Sequence, residues 1–276
     1  MPKDLDAPEH YEDAFACDSA RGLAAIADGV ASGIFSRQWA DILVQSVVRS
    51  PPPLADGERF QQWLAEHRAR WQQEVQSRSL SWNQKAKLAV GAYSTLLWLH
   101  FYHDGLRPLW QCLAIGDSCF FHIRDGRTAQ LFPLQSSAEF EQDPLTIGSC
   151  NRQRDHLLSF QFVDGECQPR DWFVLCTDAL AAWVVKQHEQ NRVVDWNEWW
   201  SLTADQWRER IVTLRQNEGM RHDDTTLLLI RVDETSTGSA VSVRESKKRR
   251  ERLQRRSRRS NRAKPIRSRE SRDVER

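Results

Sequence analysis

Five acidic segments of this chain stand where a short apolar, strand-like run begins or ends. Glu12-Asp13 precedes Phe15-Ala16-Cys17, and Asp28-Gly29 follows Leu23-Ala24-Ala25-Ile26-Ala27. Gly116-Asp117-Ser118 lies between Trp110–Ile115 and Cys119–Ile123. Asp178 follows Trp172-Phe173-Val174-Leu175-Cys176, and Asp223-Asp224 opens the run Thr225–Val232. A sheet presents side chains to a cleft at its strand ends, so a chain of this pattern can gather carboxylates at one edge of a β structure. Hard oxygen donors gathered in that way suit Mg²⁺ or Mn²⁺. Each aspartate alone reads as an ordinary turn residue. Five of them, separated by well-patterned strands, favour a common site, although spacing by itself does not identify the chemistry.

Between these runs the pattern becomes helical. Ser36 is placed to cap a helix whose Trp39, Leu43 and Val47 recur on one face, and Pro51-Pro52-Pro53 ends it. Phe60, Trp63, Leu64, His67, Trp71 and Val75 predict a second helix over 58–76. Residues 87–123 read as strands, beginning with Gly91–Leu99, and Asp125-Gly126 reads as a hairpin turn. A further helix starts at Ala179, and Thr203-Ala204-Asp205-Gln206 matches a capping box for one carrying Trp207, Ile211 and Leu214. Trp196, Trp199 and Trp200 are expected to pack in the core, with partner docking as the alternative. Strands and helices in mixed order, with few βαβ units, predict an α+β layered fold rather than a doubly wound parallel sheet.

The formal charge of +1 conceals two opposed parts. Residues 244–276 hold 16 Lys+Arg and 5 Asp+Glu, which leaves 23 and 33 for residues 1–243. An acidic body of net −10 therefore carries a basic tail of net +11. From about Thr235 apolar residues nearly vanish, so a folded domain over 1–235 and a disordered Arg/Ser-rich tail over 236–276 are expected. The tail suits nucleic acid, anionic lipid or an acidic protein surface, its own acidic body included, and its lack of aromatic residues argues against base stacking. The six cysteines form no CxxC pair and read as reduced thiols. No apolar run approaches the roughly 20 residues of a membrane span, and Met1-Pro2-Lys3-Asp4 lacks the order of a secretion signal. A soluble, cytoplasmic monomer is the expectation. No CxxxxxR loop, Walker A, GxGxxG, HExxH or GxSxG is present, which removes the usual rival chemistries.

In chain order the acidic segments read Glu-Asp, Ala-Asp-Gly, Gly-Asp-Ser, Thr-Asp-Ala-Leu and Asp-Asp-Thr-Thr. This ordered set resembles the PP2C (PPM) family of metal-dependent serine/threonine protein phosphatases, over about residues 9–232. The resemblance implies a central β-sandwich of two antiparallel sheets flanked by helices, a four-layer α-β-β-α arrangement. It also implies a two-metal centre taking Mn²⁺ or Mg²⁺, with a third ion in some members. The implied reaction is hydrolysis of phosphoserine and phosphothreonine on proteins by a metal-activated water, opposing a cognate Ser/Thr kinase. Carried over by position, Asp28 matches the bridging aspartate, and the Gly29 carbonyl would join the first metal. Asp178 and Asp223 match the ligands of the second metal, which makes Asp28, Asp178 and Asp223 the expected catalytic centre. Asp13 matches the aspartate of the N-terminal acidic pair, a direct or water-mediated ligand, with Glu12 holding metal-bound water. Asp117 matches an aspartate that helps hold the third ion. Asp224 stands where many members carry Asn and is expected to support the shell.

The chain also departs from the family pattern. Many members carry an Arg four residues before the Glu of the N-terminal pair, where it binds the substrate phosphate; here that position is Pro8. Tyr11 replaces a common Asn, and Val30 stands where others place His or Met. Lys3 and Arg37 are candidates to supply the missing cation, and each reads equally as a surface charge. Residues 135–155 have loop composition where the family often places a mobile flap, so a gating loop and a plain surface loop are both open. Of the eight histidines, only His222 is placed near the site. Pro8 leaves one alternative standing: a PP2C-fold regulatory or weakly active module whose basic tail binds an anionic partner.

Overall fold

Strands that are apolar at consecutive positions, rather than at every second one, need cover on both faces of their sheet. The computed structural model describes residues 1–31, 33–53, 57–150, 161–233 and 241–244, and it shows how that cover is supplied. The strands are β1 (Ala14–Asp18), β2 (Leu23–Ala27), β3 (Tyr93–Ser94), β4 (Leu96–Asp104), β5 (Arg107–Ile115), β6 (Cys119–Arg124), β7 (Arg127–Phe132), β8 (Ile147–Gly148), β9 (Gln161–Glu166), β10 (Trp172–Cys176), β11 (Leu227–Val232) and β12 (Val241–Arg244). The helices are α1 (Ser36–Arg49), α2 (Gly57–Gln76), α3 (Trp82–Val90), α4 (Asp178–Glu189), α5 (Trp196–Ser201) and α6 (Ala204–Asn217). One five-stranded sheet has the order β1-β2-β4-β5-β9 and the other β12-β11-β10-β6-β7. Neighbours in both pair antiparallel.

Alternate residues of each strand enter different cores. Leu23, Ala25 and Ala27 of β2 and Leu96 and Trp98 of β4 pack on Trp39, Leu43 and Val47 of α1 and Leu64 and Trp71 of α2. Their neighbours Ala24, Ile26, Leu97 and Leu99 meet Phe120, Phe173, Leu175, Leu228 and Ile230 between the sheets. On the far side Phe121, Val174, Cys176 and Leu229 pack on Leu180 and Trp183 of α4 and Ile211 of α6. Three cores make four layers, α-β-β-α, as the resemblance implies. Each fully buried large side chain, Trp98 or Phe173 for example, contributes about 2–3 kcal/mol to holding those layers together. Trp196 and Trp199 belong to the third core, with Trp199 centred 6.1 Å from Trp183 and 5.8 Å from Trp207. Packing, not docking, accounts for them.

Three local expectations change. Helix α1 starts on Phe35, which has left-handed φ of 58°, and Ser36 does not cap it. The Ser36 hydroxyl instead donates to the Val30 carbonyl at 2.6 Å, fixing the loop that follows Asp28. The stretch 87–123 is not all strand, because its first residues complete α3. That helix is opened by a reciprocal Ser81–Gln84 capping box and is mostly exposed, so no apolar stripe advertises it. Finally, the folded body does not stop at 235. Val241–Arg244 form an edge strand paired with β11, a ladder of backbone bonds that composition does not reveal. Residues 236–240 and 245–276, on which the rest of the tail reading falls, lie outside the described residues. Among the described residues no disulfide joins the six cysteines, and no helix is long and apolar enough to cross a membrane.

Candidate active site

Strand register carries the acidic segments to one end of the sandwich. In the first sheet Ala14 pairs with Ala27, Ile26 with Leu97, and Leu96 with Ile115. Asp13 and Asp28 are therefore the next residues past the β1–β2 pair, and Gly116-Asp117 follows directly on β5. In the second sheet Cys176 pairs with both Cys119 and Leu227. Ser118, Thr177 and Thr226 consequently stand side by side, with Asp117, Asp178 and Asp224 one or two residues beyond. The loops enclose a cleft of about 390 Å³ whose walls include Glu12, Asp28, Gly29, Asp117, Asp178, Asp223 and Asp224. Every predicted acid but Asp13 lines it, and Asp13 is fully buried.

Each acid is held by a distinct device. The Asp28 amide donates to Thr95 Oγ1 at 3.0 Å, and its carbonyl accepts from the Thr95 amide at 2.9 Å and from Ser94 Oγ at 2.8 Å. Thr95 Oγ1 in turn lies 2.9 Å from Ser118 Oγ, next to Asp117. Gly29 has no room for a side chain, since a Cβ would meet the Glu12 carbonyl oxygen and the Ser36 carbonyl carbon at 2.9 Å. Asp13 Oδ2 accepts from Thr177 Oγ1 at 3.0 Å and from Thr226 Oγ1 at 2.8 Å. Its Oδ1 is buried with no hydrogen-bond partner. Thr177 sits at the N-cap of α4 but does not cap it, its hydroxyl being committed to Asp13. Asp178 opens the helix, where the dipole favours negative charge, and its Oδ1 takes the Ala179 amide at 2.6 Å. Asp224 accepts the amides of Lys3 at 2.7 Å and Glu12 at 2.6 Å, stapling the N-terminal segment to the loop before β11. Asp223 Oδ1 lies 3.2 Å from Lys3 Nζ, which also faces Glu12 Oε2 at 3.7 Å.

The electrostatics show a shortage of positive charge. Burial pushes the Asp13 carboxyl up to about 7, and Asp224 adds to the effect. Burial and then Asp178 push Asp117 up to about 7. Asp28 is driven well above the usual carboxylate range by burial and by Asp13, Asp178 and Asp117. Burial and Asp223 raise Asp178, and burial raises Glu12. Asp178 is among the charges that raise Asp28, a repulsion that a cation held by both carboxylates would relieve. An all-oxygen donor set, an orphaned buried Oδ1 and mutually repelling carboxyls fit a hard divalent cation. Among the described residues, however, no three acid, His or Cys groups converge closely enough to close on one ion.

The basic candidates separate. Lys3 lines the cleft. Arg37 does not, and its guanidinium lies 4.8 Å over the ring of Tyr11. His222 is exposed and absent from the walls. Arg221, which the motifs did not single out, lines the cleft with Nη1 at 3.5 Å from Asp178 Oδ2. Thr177 and Thr226 were also unassigned; the signal for them was a threonine beside an aspartate at two strand ends. Of the span 135–155, Phe140–Pro144 form one wall of the cleft and Phe140 is buried in the third core, so this part is not a plain surface loop. Residues 151–155 lie outside the described residues.

A four-layer sandwich with carboxylates massed at one end is the architecture of the protein phosphatases that the sequence resembles. A family model described as protein phosphatase 2C matches residues 5–222, and the chain belongs to that family. Asp223 and Asp224 follow directly on the matched range and reach the cleft by geometry. Among solved structures, the serine/threonine phosphatase PstP/Ppp of Mycobacterium tuberculosis aligns at 14% identity, over 81% of this chain and 92% of that one, with a TM-score of 0.50. A bacterial serine phosphatase aligns at 14% identity, over 80% and 92%, with a TM-score of 0.51. PppA, described as a key regulatory component of T6SS in Pseudomonas aeruginosa, aligns at 23% identity over 62% and 71%, with a TM-score of 0.43. At these identities the likeness is one of fold. No curated protein matches the chain.

Proposed function

We propose that this chain hydrolyses phosphoserine and phosphothreonine on proteins with the help of Mn²⁺ or Mg²⁺. The observation that carries the reading is the buried, unpartnered Oδ1 of Asp13 beside an acid-lined cleft. A buried acceptor without a partner costs about 1–3 kcal/mol, and a cation is the group that would offset it here. Asp28, Asp178 and Asp223, with Asp13 and the Gly29 carbonyl, are the residues to hold two ions, and Asp117 is the acid for a third. When bound, such ions supply Lewis acidity toward phosphoryl oxygens and lower the pKa of water. The chain's own part is to fix the geometry. Thr95 and Ser94 hold the Asp28 backbone, Thr177 and Thr226 aim Asp13, and Asp224 keeps Glu12 at the rim, where its carboxylate can orient a water. This reading makes a phosphorylated protein the substrate and a Ser/Thr kinase the opposing enzyme, in the cytoplasm. The basic residues beyond 244 suit an anionic partner by charge alone.

The test is Mn²⁺-dependent hydrolysis of p-nitrophenyl phosphate and of a phosphothreonine peptide. EDTA is expected to abolish both activities, and Asp28→Ala or Asp178→Ala to lower kcat/KM by about 100-fold or more. Equal activity in wild type and variants would refute the reading. The absence of a closed ligand set among the described residues and the Pro8 substitution favour a second one, a regulatory or weakly active module. Mn²⁺ binding by calorimetry without turnover of either substrate would select it.

A further inference from the structure

A phosphorylated substrate carries nearly two negative charges into a cleft already crowded with carboxylates, so its recognition needs a cation on the wall. Among the described residues the cleft is lined by two, Lys3 and Arg221. Resting on the phosphatase reading above, we propose that Arg221 is the substrate's phosphate-binding residue, the function that Pro8 cannot perform. The two cations differ in how far their donors are already used. Lys3 Nζ lies between Asp223 at 3.2 Å and Glu12 at 3.7 Å, and its backbone amide is bound by Asp224. It serves as a counter-charge inside the acidic rim.

Arg221 is anchored differently. Its Nη2 donates to the Phe140 carbonyl at 2.6 Å, and Phe140 is buried, so the guanidinium is tied to a rigid point of the core. Its two carboxylate neighbours, Asp178 Oδ2 and Glu141 Oε1, both stand at 3.5 Å. Those separations are too long for well-formed hydrogen bonds, so the remaining N–H donors face acids without being taken up by them. The side chain is 38% exposed. A planar fork tied at one corner and only loosely paired with the acids around it matches the bidentate geometry of phosphate oxygens. Its position against Asp178 places a bound phosphoryl group at the acidic centre and not at the rim. Cations bound to the acids would relieve Asp178 of its demand on the guanidinium and leave the fork to the incoming anion.

Inorganic phosphate is the probe, titrated calorimetrically into the full-length protein with Mn²⁺ saturating, and the kinetics of the phosphothreonine peptide are measured alongside. Arg221→Ala is expected to weaken phosphate binding about 10-fold or more, the scale of a lost hydrogen bond to a charged group. KM should rise by a similar factor with kcat within about threefold. Arg221→Lys keeps the charge without the fork and should fall between the two; it also stands in if the alanine variant does not fold. Unchanged phosphate affinity in the folded variants would overturn the assignment, as would an equal loss in Lys3→Met, which would point to the general charge of the cleft. The two proposals fail separately. A wild type that binds phosphate through Arg221 but hydrolyses nothing sinks only the catalytic reading. A wild type that hydrolyses the peptide while Arg221→Ala binds phosphate normally sinks only this one.

Discussion

Asp117 offers a direct measure of how strained the acidic cleft is without cations. The residue is 8% exposed, and burial together with Asp178 lifts its carboxyl from 3.8 to about 7. A raised folded-state pKa means that the native protein holds this proton longer than the unfolded chain does. The stability it contributes is full below about pH 4 and is lost as pH rises through about 7. Roughly two of the three units lie between pH 5 and pH 7, and at 1.36 kcal/mol each they amount to about 3 kcal/mol. Asp13, also raised to about 7, and Asp28 and Asp178 push the same way. Metal-free wild type should therefore melt at a lower temperature at pH 8 than at pH 5. Asp117→Asn removes one titrating group, so its Tm should drop less across that interval, by roughly 5–10 °C for a domain of this size. The assay is thermal unfolding by circular dichroism in EDTA at the two pH values, repeated with excess Mn²⁺. Cation binding should restore the wild type at pH 8 more than the variant. If the two proteins lose stability in parallel, within about 2 °C, the claim that Asp117 is destabilised by burial and its neighbours is wrong.

Two further outcomes follow from the same geometry. Asp224→Ala leaves the part-buried amides of Lys3 and Glu12 without their acceptor. It should cost about 3 kcal/mol in urea unfolding, and limited proteolysis should then cut within the first dozen residues. Gly29→Ala places a methyl 2.9 Å from backbone atoms of Glu12 and Ser36, which cannot swing aside. A stability loss of about 1–3 kcal/mol is expected, with an activity loss larger than that destabilisation explains; activity within twofold of wild type would contradict the tight fit.

Much of the layout was legible because it is local. Continuous apolar runs marked the two-sided strands, Thr203–Gln206 marked the start of α6, and Asp125-Gly126, both with positive φ, marked a hairpin. The acids were legible because each stands at a strand end, and register then brings the strand ends together. What escaped notice depends on partners far apart in sequence or on signals that burial does not write. The Asp224 carboxylate binds amides more than 200 residues away. The Thr177 hydroxyl abandons its own helix for Asp13. Helix α3 hides its identity in an exposed surface, and β12 in a ladder of backbone bonds. Arg221 sits in no recognisable motif and matters only because the turn carrying Phe140 folds over to meet it.

Asp13 leaves the end of one sheet, while both hydroxyls that grip it belong to the other. The gap those three side chains span is set by the width of the interior, where Leu97, Phe120 and Phe173 meet. The cleft thus works as a caliper, its jaws mounted on opposite sheets and its opening fixed by the filling between them. Exchanging a buried side chain for a slightly larger or smaller one would respace the acids while every one of them stayed in place. A search for activity-tuning positions restricted to the cleft walls would pass over the residues that set its aperture.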